Sequence, residues 1–356
     1  MQNAFLVSCV FLLAACGPSE PPVKTDRYRV VTGETMGTYY RVVYKDGGQG
    51  DLKAAIDTLL VHLNEKEVST YESGSLISRF NASAEGVELV SEGGRAATYR
   101  AYPHFMFCLD NALDIARVTG GYFDPTIMPL VNYWGFGYTP KKPISPSDSS
   151  RIWELLPLVG TEQVQLVEER GSVRLQKSTP GVQLDFSANA KGYGVDAVGE
   201  LLEIRGIRDY LVEIGGEDRA RGRNDRGAWW TIGINTPDEQ SAVTDFERIV
   251  TLKDYSIATS GNYRNFFEVD GQKVSHIINP KTGFPERRNL LSVSVFAKDC
   301  MTADGYATAC MVLGTERALA LIEELPEIEA LLISTDAAGK YQTHETSGLA
   351  ALVTAN

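Results

Sequence analysis

The sequence predicts an α+β fold, on two observations. Segments with strand-like alternation cluster at 28–44, 162–186, 211–214, 228–235, 245–252, 266–278 and 291–297, and they do not alternate one for one with the helical stretches, as a doubly wound sheet requires. The composition is that of an ordinary globular chain: 43% hydrophobic and 22% charged over 356 residues, enough for a sizeable core and one or two domains. The net charge of −12 argues against nucleic acid as a general partner.

The N-terminus stands apart. Phe5 to Ala15 is an apolar run of signal-peptide length, too short to span a bilayer. It ends in Leu13-Ala14-Ala15-Cys16, followed by the Pro-rich Gly17-Pro18-Ser19-Glu20-Pro21-Pro22. Small residues before a cysteine and a tether after it resemble a bacterial lipoprotein signal, with Cys16 lipidated, although Met1-Gln2-Asn3 lacks the usual positive charge. That resemblance implies export and a lipid anchor on the periplasmic face of a bacterial membrane. The expected organisation is a signal at 1–15, a tether at 16–27, a folded domain at 28–340 and a polar tail at 341–356. Cys108 and Cys310 lie in apolar helical patterns and read as small hydrophobes. A Cys300–Cys310 bridge is allowed in an oxidising compartment but not indicated, and no cysteine has metal-ligand spacing.

The elements follow in order. Tyr28 to Tyr44 carries strand signals broken at Thr35-Met36-Gly37-Thr38. Asp51 is placed to cap a helix with Leu52, Ile56, Leu59, Leu60 and Leu63 on one face. A polar loop through Ser69-Thr70-Tyr71 leads to a short helix around Ile77 and Phe80. Pro103 to Val118 reads as a helix with a tolerated first-turn proline, ended by Gly120-Gly121. In Tyr122 to Gly137, two prolines and two glycines argue against regular structure and leave a dense aromatic loop. Pro140 to Ser150 reads as a surface loop and Arg151 to Leu156 as a short helix. Residues 162–186 read as a hairpin turning near Glu169-Arg170-Gly171, with Val182-Gln183-Leu184 as a short strand before the next motif. A helix after that motif stops at Gly206, and strands follow at 211–214, 228–235 and 245–252. A hairpin around Asp270-Gly271, a strand at 291–297, helices from Thr302 to Leu313 and Thr315 to Leu325, and a last strand at Leu331 to Ser334 complete the chain.

Three stretches carry chemistry. Asp185-Phe186-Ser187-Ala188-Asn189-Ala190-Lys191 puts an acid before a small-residue turn and a lysine on the first turn of a helix, a geometry that suits a phosphate. Asp185 is placed either to accept hydrogen bonds from a ligand or to orient Lys191, and Lys191 to supply a mobile positive charge; an exposed salt bridge is the structural alternative. Asp304 and Thr308 are four apart on a helix, so their oxygens face one way and form a hard donor set suited to Mg²⁺. His276 sits near a strand end before the turn Asn279-Pro280-Lys281-Thr282-Gly283, where a general base is at home, although a lone strand histidine is more often structural.

These stretches stand in one order with others: Thr35-Met36-Gly37-Thr38, Ser69-Thr70-Tyr71, Phe123-Asp124-Pro125-Thr126 through Trp134-Gly135-Phe136-Gly137, Glu213-Ile214-Gly215-Gly216-Glu217 and Ser260-Gly261-Asn262-Tyr263-Arg264. Together they span Val30 to Ile333 and resemble the ApbE family, the FAD:protein FMN transferases. The resemblance implies a T-fold-like architecture, FAD as substrate and Mg²⁺ as cofactor. It implies metal ligation by Asp304, Thr308 and the Ala188 carbonyl, and His276 as the base, with Asp304 as the alternative. Met36, Tyr71, Tyr122, Phe123, Asp124, Asp185, Lys191 and Ile277 would line the FAD site. The acceptors it implies are subunits of membrane redox complexes of the sodium-pumping NADH:quinone reductase or Rnf type. The sequence departs from the family pattern at Asn189, Asp218, Asn279 and Gly305-Tyr306, none of which removes an expected ligand. Two rivals remain: an FAD pyrophosphatase and a flavin-binding lipoprotein without turnover.

Overall fold

The computed structural model describes residues 27–139, 150–237, 246–262, 266–269, 272–286 and 288–355. Outside the described residues lie the signal, Cys16 and nearly all of the tether, the stretch after Thr139, Tyr263-Arg264 and the Asp270-Gly271 turn.

β1 (Tyr28–Thr35) and β2 (Thr38–Lys45) pair antiparallel across the Met36-Gly37 turn, as expected. Asp51 Oδ1 accepts the Lys53 N–H at 2.8 Å, and α1 (Lys53–Val61) starts there, continuing into a π-helical segment, His62–Val68. α2 (Leu76–Ala82) is capped by the Ser75 hydroxyl, which accepts the Ser78 N–H. β3 (Gly86–Val90) and α3 (Gly94–Ala101) had no sequence signal. α4 (Pro103–Val118) has the expected limits. The aromatic stretch is not wholly irregular: α5 (Met128–Tyr133) forms inside it, with Pro129 in the first turn, where a missing N–H costs nothing. α6 (Ser150–Leu155) and the hairpin β4 (Val164–Glu169) and β5 (Ser172–Lys177) come next. The hairpin ends at Lys177. Val182 to Leu184 is not a strand; Gln183 makes only an isolated parallel bridge to Ile127.

α7 (Ala190–Ile204) is stopped by Gly206, and β6 (Tyr210–Ile214) and β7 (Glu217–Arg221) follow it. β7 was hidden by its charge. Its Arg219 is buried against Asp196 at 2.8 Å and Glu203 at 3.1 Å, partners that no local pattern reveals. Then come β8 (Trp230–Asn235), β9 (Phe246–Leu252), β10 (Ser256–Gly261), β11 (Phe266–Val269), β12 (Gln272–Ser275) and β13 (Leu290–Ala297). α8 (Cys300–Leu313) begins two residues early because Asp299 caps it by accepting the Thr302 N–H. α9 (Thr315–Glu323) and β14 (Glu329–Thr335) follow. β14 is not the last strand. β15 (Tyr341–Glu345) pairs with it, and after α10 (Leu349–Leu352), β16 (Val353–Ala355) pairs with β9. The stretch read as a polar tail is therefore built into the sheets.

The main sheet has the order β1-β2-β6-β7-β10-β13-β14-β15, antiparallel throughout. α7 and α8 pack on it, and the small sheet β16-β9-β8 supplies a second apolar layer. β14 illustrates the period of two: Ala330 and Leu332 join the core with α8, whereas Leu331 and Ile333 join the core with β8 and β9. Each fully buried Leu or Ile contributes roughly 1.5–3 kcal/mol.

Two glycines set how closely the helices meet. A Cβ on Gly192 would lie 2.3 Å from the Cys300 carbonyl oxygen, so only glycine lets α7 approach the start of α8. A Cβ on Gly305 would lie 2.3 Å from Ile115 Cδ1, so this departure from the family pattern seats α4 against α8. Cys108, Cys300 and Cys310 are free and buried. Cys300 and Cys310 lie on one helix about 15 Å apart along its axis, too far for a disulfide. Among the described residues no helix is long and apolar enough to cross a membrane.

Candidate active site

The N-terminal ends of α7 and α8 converge on one cluster. The Gly192 N–H donates to Asp304 Oδ2 at 3.0 Å, so the close approach allowed by Gly192 ties the two helices at the carboxylate. Lys191 Nζ lies 2.8 Å from Glu217 Oε1 and 3.7 Å from Asp304 Oδ1. One ammonium thus serves two buried carboxylates, and the cluster keeps a net negative charge. Burial pushes the Asp304 carboxyl up from its ordinary value, with Lys191 opposing. Burial likewise pushes Glu217 up to about 7, with Lys191 opposing and Asp304 adding to the rise. For Lys191, burial works against the charge, but Asp304 and Glu217 outweigh it and raise the pKa.

This cluster opens on a cavity of about 840 Å³. Its wall includes Tyr122, Phe123, Asp124, Asp185, Ala188, Lys191, His276, Ile277, Asp304 and Thr308. Most of the residues singled out from the sequence are therefore gathered on one wall, although they come from separate parts of the chain. Thr308 Oγ1 is 3.2 Å from Ser260 Oγ. His276 is half-buried, with the Phe136 ring edge-on at 6.2 Å. Asp124 accepts from the Thr126 N–H at 2.8 Å, and Asp185 N–H donates to the Pro125 carbonyl at 2.7 Å, which binds the aromatic stretch to the motif before α7.

Four expectations need correction. Asp185 does not orient Lys191; its two oxygens accept from the Ser187 N–H and hydroxyl, both at 2.9 Å. Lys191 is not a mobile charge but is pinned by Glu217. The first amides of α7 do not form an open cradle, since Ala190 N–H donates to the Phe186 carbonyl at 2.8 Å and Gly192 N–H to Asp304. Met36 and Tyr71 are not part of the cavity wall. Met36, in a left-handed turn with φ 50°, sits beside Gly194 of α7. Tyr71 is 69% exposed, and its hydroxyl donates to the Phe136 carbonyl at 3.4 Å.

Sequence reasoning overlooked Glu217, Asp218 and Glu213 as site residues. The only signal was an acid directly after Gly215-Gly216, and its meaning depends on Lys191 across the sheet. Glu217 Oε2 is buried and accepts no hydrogen bond. Asp124, Asp185, Glu213, Glu217, Asp218 and Asp304 face the cavity against Arg41 and Lys191. A wall this acidic repels an anionic ligand unless another cation enters, and carboxylate, hydroxyl and carbonyl oxygens suit a hard divalent ion. The donor set at Asp304, Thr308 and Ala188 therefore fits Mg²⁺.

Comparison with known proteins gives the family. The family model described as "ApbE family" matches residues 36–332. A Vibrio cholerae protein named FAD:protein FMN transferase is 38% identical over 341 residues, covering 94% of this chain and 95% of that one. A Haemophilus influenzae protein of the same name is 35% identical and covers 94% of this chain and 93% of that one. Among solved structures, the flavin transferase ApbE from Vibrio cholerae superposes with a TM-score of 0.79 at 34% identity, covering 92% of this chain and 99% of that one. The flavinyl transferase ApbE of Pseudomonas stutzeri gives 0.77 at 34% identity, with 92% and 97% covered. The α+β architecture is thus that of these transferases, and the chain belongs to the ApbE family.

Proposed function

We propose that this enzyme is an FAD:protein FMN transferase that moves FMN from FAD onto a Thr or Ser hydroxyl of a target protein, with Mg²⁺ at the pyrophosphate. The hydroxyl oxygen attacks the phosphorus on the FMN side. The bond from that phosphorus to the bridging oxygen breaks, and AMP leaves with the electron pair. His276 takes the hydroxyl proton, and Asp304 takes it if His276 only positions FAD. Asp304, Thr308 and the Ala188 carbonyl would hold Mg²⁺, which supplies charge neutralisation at the pyrophosphate. Lys191 holds Glu217 and adds positive charge beside the same position. The cavity gives the flavin an apolar surface in Tyr122, Phe123 and Ile277, with Asp124 and Asp185 as acceptors.

The observation that carries this reading is the placement of one lysine between two buried carboxylates in a cavity that must admit an anionic dinucleotide. A protein that only stored flavin would have no use for a cation-seeking cluster there. Acceptors on membrane redox complexes of the sodium-pumping NADH:quinone reductase or Rnf type, and anchoring through Cys16 on the periplasmic side, complete the proposal. Both rest on sequence resemblance.

The test is the intact mass of a Ser- or Thr-containing acceptor peptide after incubation with enzyme, FAD and Mg²⁺, with AMP assayed alongside. A gain of one FMN, with AMP only when peptide is present, supports transfer. AMP release without mass gain and without need of peptide would instead establish an FAD pyrophosphatase. Loss of lipid incorporation in Cys16→Ser would support the anchor, and unchanged incorporation would remove it.

A further inference from the structure

A second group of metal-type ligands lies apart from this cavity. His62, Glu67 and His104 each offer one ligand atom, and these atoms lie within 4.8 Å of one another. Among the described residues no other trio of His, Cys, Asp or Glu side chains does so.

The backbone brings them together in an unusual way. Residues five apart in an α-helix point about 140° away from each other. His62 and Glu67 are instead the first and sixth residues of the π-helical segment, where the i→i+5 turn places them on one side. The Ser69 N–H donates to the Asn64 carbonyl at 2.9 Å, a bond of that wider type. Such a turn is a less favourable local structure than an α-helix, and it frequently marks a functional position.

Glu67 is 1% exposed, and its two oxygens differ. Oε2 accepts the Phe105 N–H at 2.8 Å and so caps the start of α4. Oε1 is buried, and the polar side-chain atom beside it is His62 Nε2 at 3.2 Å, an ion-pair contact when that imidazole is protonated. His104 stands on the first turn of α4, its ring held by Tyr193, whose hydroxyl is 3.0 Å from Nδ1. An outer hydrogen bond of this sort fixes the orientation of an imidazole ring. The rings of His62 and His104 meet edge-to-face with centroids 5.7 Å apart.

We propose that His62, Glu67 and His104 form a second metal site, separate from the cation position at Asp304, and that it takes Zn²⁺. Two imidazoles and one carboxylate suit a borderline ion rather than Mg²⁺ or Ca²⁺, which prefer oxygen throughout. With zinc–ligand bonds of about 2.0–2.1 Å, the edge of the tetrahedron is about 3.3 Å. The His62–Glu67 separation already has that size. The His62 side chain is 55% exposed, which gives the ion a route from solvent and leaves the fourth position to water. The site ties the π-helical segment to α4 and, through Tyr193, to α7, which carries Lys191.

The experiment strips the full protein with a chelator, dialyses it against micromolar Zn²⁺ and measures bound zinc and the unfolding midpoint. Wild type and Asp304→Ala should each hold one equivalent at this site and unfold at a higher temperature with Zn²⁺. His62→Ala, at an exposed position, and Glu67→Gln, which keeps an acceptor for the Phe105 N–H, should bind about a hundredfold more weakly and lose the shift. Zinc uptake in His62→Ala equal to wild type, or none in wild type, would overturn the proposal.

Discussion

Lys177 and Lys191 are both withdrawn from water, in contrasting company. Lys177 Nζ donates to the carbonyls of Phe80 at 2.8 Å, Ser83 at 2.9 Å and Val182 at 2.7 Å, and stands 4.4 Å from the centroid of the Phe80 ring. Among the described residues it has no carboxylate partner. Its three donors meet three neutral acceptors, so the group is saturated and joins α2, β5 and the segment before Asp185. Lys191 has the opposite imbalance, with two carboxylates for one ammonium. The first arrangement closes a structure, and the second leaves negative charge that another cation can answer. Burial lowers the pKa of Lys177 to about 8, while the carboxylates raise that of Lys191.

The contrast can be broken in order of expected effect. Asp304→Ala should lower the rate of FMN transfer by about a thousandfold or more, roughly 4 kcal/mol of transition-state stabilisation, with the fold retained. Full transfer by this variant in the presence of a chelator would refute the metal assignment. Lys177→Met should do the reverse. Three carbonyls lose their donor, and stability should fall by about 3 kcal/mol in denaturant titrations while the transfer rate per folded molecule stays within about twofold. A large loss of rate in the folded variant would mean that Lys177 reaches the site.

Lys191→Met should slow transfer by about 10- to 100-fold, and the stability of this variant should depend more on Mg²⁺ than that of wild type, because Glu217 and Asp304 then face each other without a cation. Equal Mg²⁺ dependence would show that the two carboxylates are not short of positive charge. The smallest effect is on pH. Lys177 has a folded pKa near 8 and an unfolded value near about 10.4, so in that window the unfolded chain binds more protons. Stability should therefore rise as pH goes from about 8 to about 10, by about 1–2 kcal/mol relative to Lys177→Met. A flat difference between the two proteins would remove this account.

Local chemistry was legible before any fold was known. α4 has its expected limits because Pro103 and Gly120-Gly121 act within a turn of where they stand. The same holds for the Met36-Gly37 turn and for the stop of α7 at Gly206. The hard-oxygen pair Asp304 and Thr308 followed from its four-residue spacing, and Asp185, Lys191 and His276 from their local pattern, whereas Tyr122, Phe123, Asp124 and Ile277 were named through motifs shared with the ApbE family. The rest depended on partners distant in the chain. β7 is a strand because Asp196 and Glu203 neutralise Arg219. Glu217 belongs to the site because β7 carries it to Lys191. Lys191 is pinned rather than mobile for the same reason. β15 and β16 exist because a sheet edge and β9 offer them backbone partners, although their own sequences are short and partly polar. A turn or a helix stop is decided by the conformational preference of a few neighbouring residues. A buried charge or an edge strand is decided by whatever the rest of the chain brings against it, and that pairing energy has no imprint in the local sequence.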